Sequence, residues 1–296
     1  MNTIEALLQS INLEEIEENI FRGTSHDVGS PHVFGGQVLS QALHAAILTV
    51  PKDRFVHSLH AYFILPGDLE RPIVFQVERL RNGGSFTTRR VTAIQNGKAI
   101  FNFAASFQVD TEGYDHQIEI PDVPSPDTLQ SDQDLLKAFK SQLPKQFQRF
   151  IRPLPIEFRP VNPFIFITPE KQEPIRYVWM KAKGDVPNIR SIHQRILAYA
   201  SDYNLLTTAI QPHQHKTSFT KLQIASLDHA MWFHRDFKID EWLLYAIDSP
   251  SASSSRGFTR GNIYKQDGTL VASVVQEGLM RQKRDRKKKE DDEKGS

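Results

Sequence analysis

Two stretches of the chain carry the same landmarks in the same order, and they decide the fold. The first has His-Ser-Leu-His-Ala at 57–61, Gly-Gly-Ser-Phe-Thr-Thr-Arg-Arg at 83–90, Gln-Asn-Gly at 95–97 and Ala-Ser-Phe-Gln at 105–108. The second has Ser-Leu-Asp-His-Ala at 226–230, Ser-Ser-Arg-Gly-Phe-Thr-Arg at 254–260, Gln-Asp-Gly at 266–268 and Ala-Ser-Val-Val-Gln at 272–276. This matching order predicts two copies of one domain, fused head to tail.

Each copy reads as a buried helix followed by an antiparallel sheet. Residues 34–48 open with glycines and are apolar almost all round, which is typical of a helix buried on most sides. Residues 56–65 have apolar side chains on both alternating faces, which predicts a central strand. The second copy predicts a buried helix over 192–210 and a central strand over 222–233. Pairing of the two sheet edges would form one sheet and protect both edges.

The chain is therefore predicted to be an α+β protein of two repeats. The N-terminal repeat is expected over residues 1–110, a proline-punctuated linker over 111–154, and the C-terminal repeat over 155–283. Further helices are predicted over 3–20 and, within the linker, over 131–143. Residues 284–296 are almost all charged, with both signs mixed, and this composition predicts a disordered tail.

Composition excludes several classes of function. Lys and Arg total 36 against 35 for Asp and Glu, so no overall charge favours nucleic acid. Cysteine is absent, which excludes disulfides, thiolate metal sites and a cysteine nucleophile. No apolar stretch reaches the ~20 residues of a membrane span, and the N-terminus does not resemble an export signal, so we expect a cytoplasmic protein. No serine elbow, phosphate loop or zinc motif is found, and we expect neither cofactor nor metal.

Four polar side chains are candidates for chemistry. Asp202 lies in a mostly apolar helical segment, where an unpaired carboxylate would cost several kcal/mol. It either caps a loop, pairs with an arginine or performs catalysis. Ser226 and Asp228 interrupt an apolar row of the second central strand, and Gln276 ends the last strand. Each of these polar groups could instead satisfy backbone groups.

Other polar features leave alternatives open. The amides of Gly35 and Gly36 could hold a carbonyl oxygen or a phosphate, or the glycines could allow close packing. His60 and His229 match across the repeats, which favours a shared structural role. Four arginines follow the turns and either contact phosphates or lie in solvent: Arg89, Arg90, Arg256 and Arg260.

Five longer motifs are spread along the chain. They are His-Val-Phe-Gly-Gly-Gln-Val-Leu-Ser-Gln-Ala-Leu at 32–43, Ser-Asp-Tyr-Asn-Leu-Leu at 201–206, Ser-Leu-Asp-His-Ala-Met-Trp-Phe-His at 226–234, Ala-Ser-Ser-Ser-Arg-Gly-Phe at 252–258 and Val-Ala-Ser-Val-Val-Gln-Glu-Gly at 271–278. Together they resemble the acyl-CoA thioesterase II family over nearly the whole chain. The resemblance implies a double hotdog fold, in which each of two fused units wraps an antiparallel sheet around a helix.

The same resemblance implies hydrolysis of fatty acyl-CoA to free fatty acid and CoA, and association into a homo-oligomer. By motif, the family's catalytic Asp, Thr or Ser, and Gln fall on Asp202, Ser226 and Gln276. Asp202 would take a proton from the attacking water, held in line by Ser226 and Gln276, while helix N-terminal amides stabilise the oxyanion. Two alternatives stay open: a hydratase or dehydratase of the same fold, which would need a histidine, and a non-catalytic acyl-CoA-binding protein.

Overall fold

A single antiparallel sheet organises the protein. The computed structural model describes residues 2–142, 148, 151–162, 171–216 and 221–283. The strands in these ranges are β1 Glu14–Glu17, β2 Ile20–Gly23, β3 Arg54–Phe63, β4 Ile73–Asn82, β5 Phe86–Gln95, β6 Lys98–Val109, β7 Ile156–Pro160, β8 Ile175–Ala182, β9 Leu222–Ser226, β10 Asp228–Phe233, β11 Leu243–Ser253, β12 Arg256–Lys265 and β13 Leu270–Gln282. The helices are α1 Ile4–Ser10, α2 Gly35–Leu48, α3 Asp132–Ala138, α4 Arg190–Ser201 and α5 Leu205–Ile210.

The order of the strands is nearly a mirror image about the centre of the sheet. It runs β1-β2-β4-β5-β6-β3 and then β10-β13-β12-β11-β8-β7, with β9 paired to β13. The halves join where β3 pairs with β10, for example at Ala61 opposite His229. The two sheets therefore share paired edges, as the sequence predicts. The bounds of the repeats, 1–110 and 155–283, remain a proposal, which this matched order supports.

The two long helices lie in the core between the halves. Helix α2 is buried on nearly all sides, as predicted, because its residues are small or apolar. It packs against α4, where the Ser40 hydroxyl donates to the carbonyl of Arg195 at 2.8 Å. The hairpin between β5 and β6 turns at Asn96 and Gly97, which both have positive φ, and this twist matches that of the flanking strands.

The prediction of one helix over residues 3–20 is wrong. Helix α1 stops at Ser10, and the chain then forms the β1–β2 hairpin, whose turn places Asn19 at a φ of 63°. Phe21 is buried because β2 pairs with β4. Tertiary pairing of this kind overrides a local helical pattern.

The prediction of one buried helix over residues 192–210 is also wrong. Helix α4 ends at Ser201 and α5 starts at Leu205. Between them, Asn204 adopts the left-handed conformation with a φ of 72°, which asparagine tolerates better than most residues. Asp202 is consequently the C-cap of α4 and not a residue inside a helix.

A bulge interrupts the strand predicted over residues 222–233. Ala230 pairs with Val275, whereas Ser226 pairs with Gly278, so four steps on one strand match three on the other. One extra residue exchanges the two faces of a strand. Ser226 therefore lies on the core face with His229, while Asp228 lies on the opposite face, which corrects the prediction that Ser226 and Asp228 share a face.

The linker covers the outer face of the second half of the sheet. The indole nitrogen of Trp179 donates to the carbonyl of Pro124 at 2.9 Å, and Ile120 packs on the same apolar cluster. Helix α3 is shorter than predicted and has Ser131 as its N-cap, accepting from the amide of Asp134. The predicted charged tail, 284–296, lies outside the described residues. No helix in the described part of the chain is long and apolar enough to cross a membrane.

Candidate functional site

The Asp202 carboxylate accepts hydrogen bonds from three separate elements. Its Oδ1 accepts from Nε2 of Gln276, on β13, at 2.9 Å and from the hydroxyl of Ser226, at the end of β9, at 3.4 Å. Its Oδ2 accepts from the amide of Gly36, in the first turn of α2, at 2.9 Å. Asp202, Ser226 and Gln276, the catalytic residues that the resemblance implies, thus lie together. The backbone amide of Gly36, from the other half of the chain, joins them.

Glycines allow the start of α2 to reach this carboxylate. A Cβ on Gly35 would lie 2.7 Å from Oδ2 of Asp202, and a Cβ on Gly36 would collide with the carbonyl oxygen of Tyr199. Any larger residue would push α2 away from α4. The start of a helix also carries a partial positive charge, which favours a nearby carboxylate. The close packing expected of these glycines is confirmed, and the Gly36 amide binds the Asp202 carboxylate in place of the carbonyl oxygen or phosphate of the other interpretation.

Burial raises the pKa of Asp202 to about 6, while hydrogen bonds from Gln276, the Gly36 amide and Ser226 oppose that rise. Burial disfavours the charged form of a carboxylate, whereas hydrogen bonds donated to it favour that form. At pH 7 the carboxylate is mostly ionised, yet it is more basic than an exposed aspartate. This combination suits a group that accepts a proton at neutral pH.

Aromatic residues surround the carboxylate in place of cations. The ring of Phe34 lies 4.5 Å from that of Tyr203, and Tyr199 packs against both. Burial raises the pKa of Tyr199 to about 12 and holds the pKa of Tyr203 well above its ordinary value, so both phenols are neutral. Among the described residues no arginine or lysine forms an ion pair with Asp202, which makes the arginine-pair interpretation wrong there.

The remaining acidic candidate lies apart from this site. Asp228 accepts from the backbone amide of Glu277 at 2.6 Å, so its carboxylate satisfies the main chain of β13. Burial raises its pKa. The two carboxylates at 202 and 228 therefore do not form a catalytic pair.

The histidines do not share one role. His60 is exposed on the outer face of the sheet, whereas His229 is buried on the core face, so the shared role predicted for them is wrong. The matched sequence positions are not equivalent in the sheet, where His229 pairs with Ala61 and His60 pairs with Ala230. His229 contacts the hydroxyl of Ser201 through Nε2 at 3.0 Å, and His234 contacts that of Ser273 at 3.0 Å.

The four arginines after the turns have protein partners. Arg89 is buried and donates to oxygens of Thr49, Arg81, Thr88 and Asn82. The other three form ion pairs with acidic neighbours: Arg90 with Glu78, Arg256 with Glu277 and Arg260 with Asp248. Neither predicted alternative fits Arg89, because its side chain is neither solvated nor available to a phosphate.

Sequence reasoning missed Tyr245, which lies directly behind the site. Its hydroxyl donates to the carbonyl of Ser201, the residue before Asp202, at 3.1 Å. A buried tyrosine in a strand carries no signal in a single sequence. In the described ranges no cluster of three or more His, Asp or Glu side chains could hold a metal ion.

Two family models and several known proteins match most of this chain. Residues 22–108 match the family model described as acyl-CoA thioesterase N-terminal domain, and residues 167–279 match the model described as acyl-CoA thioesterase. The chain is 40% identical over 279 residues to acyl-CoA thioesterase 2 of Haemophilus influenzae, covering 93% of this chain and 96% of that protein. It is 40% identical over 284 residues to human acyl-coenzyme A thioesterase 8, covering 92% and 88%.

Solved structures define the fold. The crystal structure of acyl-CoA thioesterase II TesB2 from Mycobacterium marinum superposes with a TM-score of 0.78 at 41% identity, covering 94% of this chain and 98% of that one. A protein of unknown function with a hot dog fold from Alicyclobacillus acidocaldarius superposes with a TM-score of 0.74 at 20% identity, covering 94% and 99%. The architecture is the double hotdog predicted from sequence, and this chain belongs to the acyl-CoA thioesterase II family.

Proposed function

We propose that the protein hydrolyses fatty acyl-CoA thioesters to free fatty acid and CoA, with Asp202 activating the attacking water. The observation that carries this proposal is the ionisable Asp202 carboxylate, which Gly36, Ser226 and Gln276 hold and which forms no ion pair with a cation among the described residues. The names of the relatives from Haemophilus influenzae, human and Mycobacterium marinum, all acyl-CoA thioesterases, support the same substrate class.

One oxygen of the Asp202 carboxylate can accept a further hydrogen bond from a water molecule. Oδ2 of Asp202 accepts one hydrogen bond, from Gly36, and a carboxylate oxygen can accept two. A water donating to this oxygen gives up that proton as its oxygen bonds to the thioester carbonyl carbon. The tetrahedral intermediate then collapses, the carbon–sulfur bond breaks, and the departing CoA sulfur takes the proton from Asp202. General-base assistance of this kind contributes roughly 10²–10⁴-fold.

Gln276 and Ser226 fix the carboxylate by binding Oδ1. Gln276 is buried, and its Nε2 makes the shorter bond, 2.9 Å against 3.4 Å for Ser226. The longer bond predicts that Ser226 contributes less to orienting the base. Its hydroxyl can instead contact the attacking water, the role that its place beside Asp202 favours.

The oxyanion requires a donor other than Gly36, whose amide already serves Asp202. Within the described residues the amide of Gly35, in the same first helical turn, has no hydrogen-bond acceptor. We propose that the Gly35 amide donates a hydrogen bond to the thioester oxygen as negative charge develops on it. A preorganised donor is most effective at such a position. This assignment refines the expectation that amides at the start of a helix stabilise the oxyanion.

The alternatives lack a suitable site. A hydratase needs a histidine that reaches the substrate, for which His60, His229 or His234 would have to serve. His229 is buried against Ser201 and His234 contacts Ser273, whereas His60 is exposed on the outer face of the sheet, away from Asp202. A non-catalytic binding protein has no need for a carboxylate whose burial destabilises the fold.

Release of free thiol from palmitoyl-CoA, followed with a thiol reagent, tests the proposal. The protein has no cysteine, so it contributes no background signal. We expect steady thiol release over many turnovers. Binding of palmitoyl-CoA without thiol release would establish the binding protein instead, and loss of enoyl absorbance from crotonyl-CoA would establish the hydratase. Cytoplasmic location and homo-oligomeric assembly stay predictions, testable by cell fractionation and light scattering.

A further inference from the structure

The residue before Asp202 is held by the sheet through an unusual set of buried contacts. Ser201 is buried, and its carbonyl accepts the hydroxyl of Tyr245, on β11, at 3.1 Å. Its own hydroxyl donates to the carbonyl of Ala198 at 2.9 Å and lies 3.0 Å from Nε2 of His229, on β10. Side chains from two strands thus hold the last residue of α4. The carboxylate of the next residue, Asp202, binds Gly36, Ser226 and Gln276.

The hydrogen bonds of Ser201 favour one tautomer of His229. The Ser201 hydroxyl donates to the carbonyl of Ala198, which leaves the hydroxyl oxygen to accept from the imidazole. His229 is then the neutral tautomer with its proton on Nε2, and burial lowers its pKa to about 3. The imidazole therefore stays a hydrogen-bond donor through the whole range in which the enzyme would work.

The first repeat lacks the matching hydroxyl. Phe75 is the third residue of β4, as Tyr245 is the third residue of β11. Two residues further along each strand, Val77 pairs with Val91 and Ile247 pairs with Gly261. A Cβ on Gly261 would collide with the ring of Tyr245, so the glycine makes the tyrosine possible. Tyr245 and the glycine that makes space for its ring both occur in the repeat that carries Asp202.

We propose that Tyr245 and His229 are positioning residues, which hold Ser201 so that the neighbouring Asp202 carboxylate meets Gly36, Ser226 and Gln276. The proposal rests on the proposed function of Asp202. Three donors on three elements must each lie within hydrogen-bonding distance of the two carboxylate oxygens. Asp202 is the C-cap of α4, so the position of its carboxylate depends on where the backbone of α4 ends. A displacement of about 1 Å at such a centre lowers turnover by up to about a hundredfold.

Substitution of Tyr245 by Phe removes one hydroxyl and keeps the ring. We expect kcat for palmitoyl-CoA to fall about tenfold with KM nearly unchanged, because the substrate does not contact this residue. The acidic limb of the kcat profile should also move to higher pH, since a loosened Asp202 loses hydrogen bonds that lower its pKa. The neutral phenols of Tyr199 and Tyr203, which also face Asp202, are unaltered by the substitution.

Tyr264→Phe is the matched control, because this tyrosine is equally buried but lies in the cluster with Trp179 on the far side of the sheet. It should leave kcat and the pH profile unchanged. If Tyr245→Phe lowers only the unfolding temperature, with kcat and the acidic limb as in the wild type, the role is merely structural and the proposal is overturned.

Substitutions of His229 give a second, independent readout. Gln can place a donor near the position of Nε2, so His229→Gln should retain most of kcat, whereas His229→Leu should lose about tenfold. Equal activity of the Gln and Leu variants in the soluble, folded protein would contradict the role of the imidazole donor. A wild-type protein that releases no thiol would defeat the proposed function itself. Active wild type with silent Tyr245 and His229 variants would defeat only the positioning role.

Discussion

The two buried helices end in different ways, although they occupy corresponding places in the two repeats. The C-cap of α2 is Thr49, whose carbonyl and hydroxyl both accept hydrogen bonds from the buried guanidinium of Arg89 at 2.8 Å. The C-cap of α4 is Asp202, which forms no ion pair with a cation in the described residues. The ladder position of Arg89 is filled in the second repeat by Thr259.

This difference shows how duplication separates stability from chemistry. In the first repeat the polar C-cap of α2 accepts hydrogen bonds from Arg89. The guanidinium of Arg89 is bound by protein oxygens, so its role is structural alone. In the second repeat the C-cap of α4 presents a carboxylate to the start of α2, while Tyr245 and His229 contact the preceding Ser201. One repeat supplies the Asp202 carboxylate, the proposed base, and the other supplies the Gly36 amide, so the proposed site needs both.

The largest expected effect is the loss of hydrolysis in Asp202→Asn. Asparagine keeps the shape of the side chain but cannot accept a proton from water, so kcat should fall by roughly 10²–10⁴-fold. Thiol release from palmitoyl-CoA measures the change, and circular dichroism checks that the fold is retained. Turnover equal to that of the wild type would place the base elsewhere.

Arg89→Met tests the opposite end of the comparison. Several partly buried acceptors, including the carbonyls of Thr49 and Arg81, would lose their donor at about 1 kcal/mol each. We expect the free energy of unfolding in denaturant to fall by roughly 3 kcal/mol, with kcat of the folded enzyme within about twofold of the wild type. A large fall in kcat with unchanged stability would give the first repeat a direct role in catalysis.

Asp202 should also destabilise the native state above its pKa. Its pKa is 3.8 as the reference for the unfolded chain and about 6 in the folded protein. The folded state therefore binds the proton more tightly, and stability falls as pH rises from about 4 to 6. At pH 8 Asp202→Asn should exceed the wild type by roughly 2 kcal/mol in unfolding free energy, and the gain should shrink below pH 4. A gain independent of pH would contradict a raised pKa.

Ser226→Ala should have the smallest effect of these substitutions. The hydroxyl makes the longest of the three bonds to Asp202, 3.4 Å, while the Gln276 and Gly36 donors remain. We expect kcat to fall about tenfold, in line with about 1.4 kcal/mol for a hydrogen bond to a charged group. Ser226→Thr, which keeps the hydroxyl, is the matched control and should retain activity. A loss greater than that of Asp202→Asn would reverse the roles.

Sequence predicted the features that repeat or have strong local signals. The α2 helix, the Asn96-Gly97 hairpin and the meeting of Asp202 with Ser226 and Gln276 all follow from periodicity, turn chemistry or family motif. The motifs named the residues, but they did not show how the three side chains reach one another.

The errors fall where long-range contacts override a local pattern. The break at Asp202 depends on the left-handed Asn204, and the reversal of faces at Ser226 depends on one extra residue against β13. Neither changes the hydrophobic periodicity enough to be read from one sequence. The Asp202 partner of the Gly36 amide and the role of the Tyr245 hydroxyl were missed for a related reason, because both depend on residues distant in the chain.

The central claim is that Asp202 activates water and does not itself attack the thioester. A single turnover in ¹⁸O-labelled water, with enzyme in excess over palmitoyl-CoA, tests it directly. Direct attack by water places one ¹⁸O in the released palmitate and none in the peptide that contains Asp202. Unlabelled palmitate together with ¹⁸O in that peptide would show a covalent acyl-aspartyl intermediate and contradict the account.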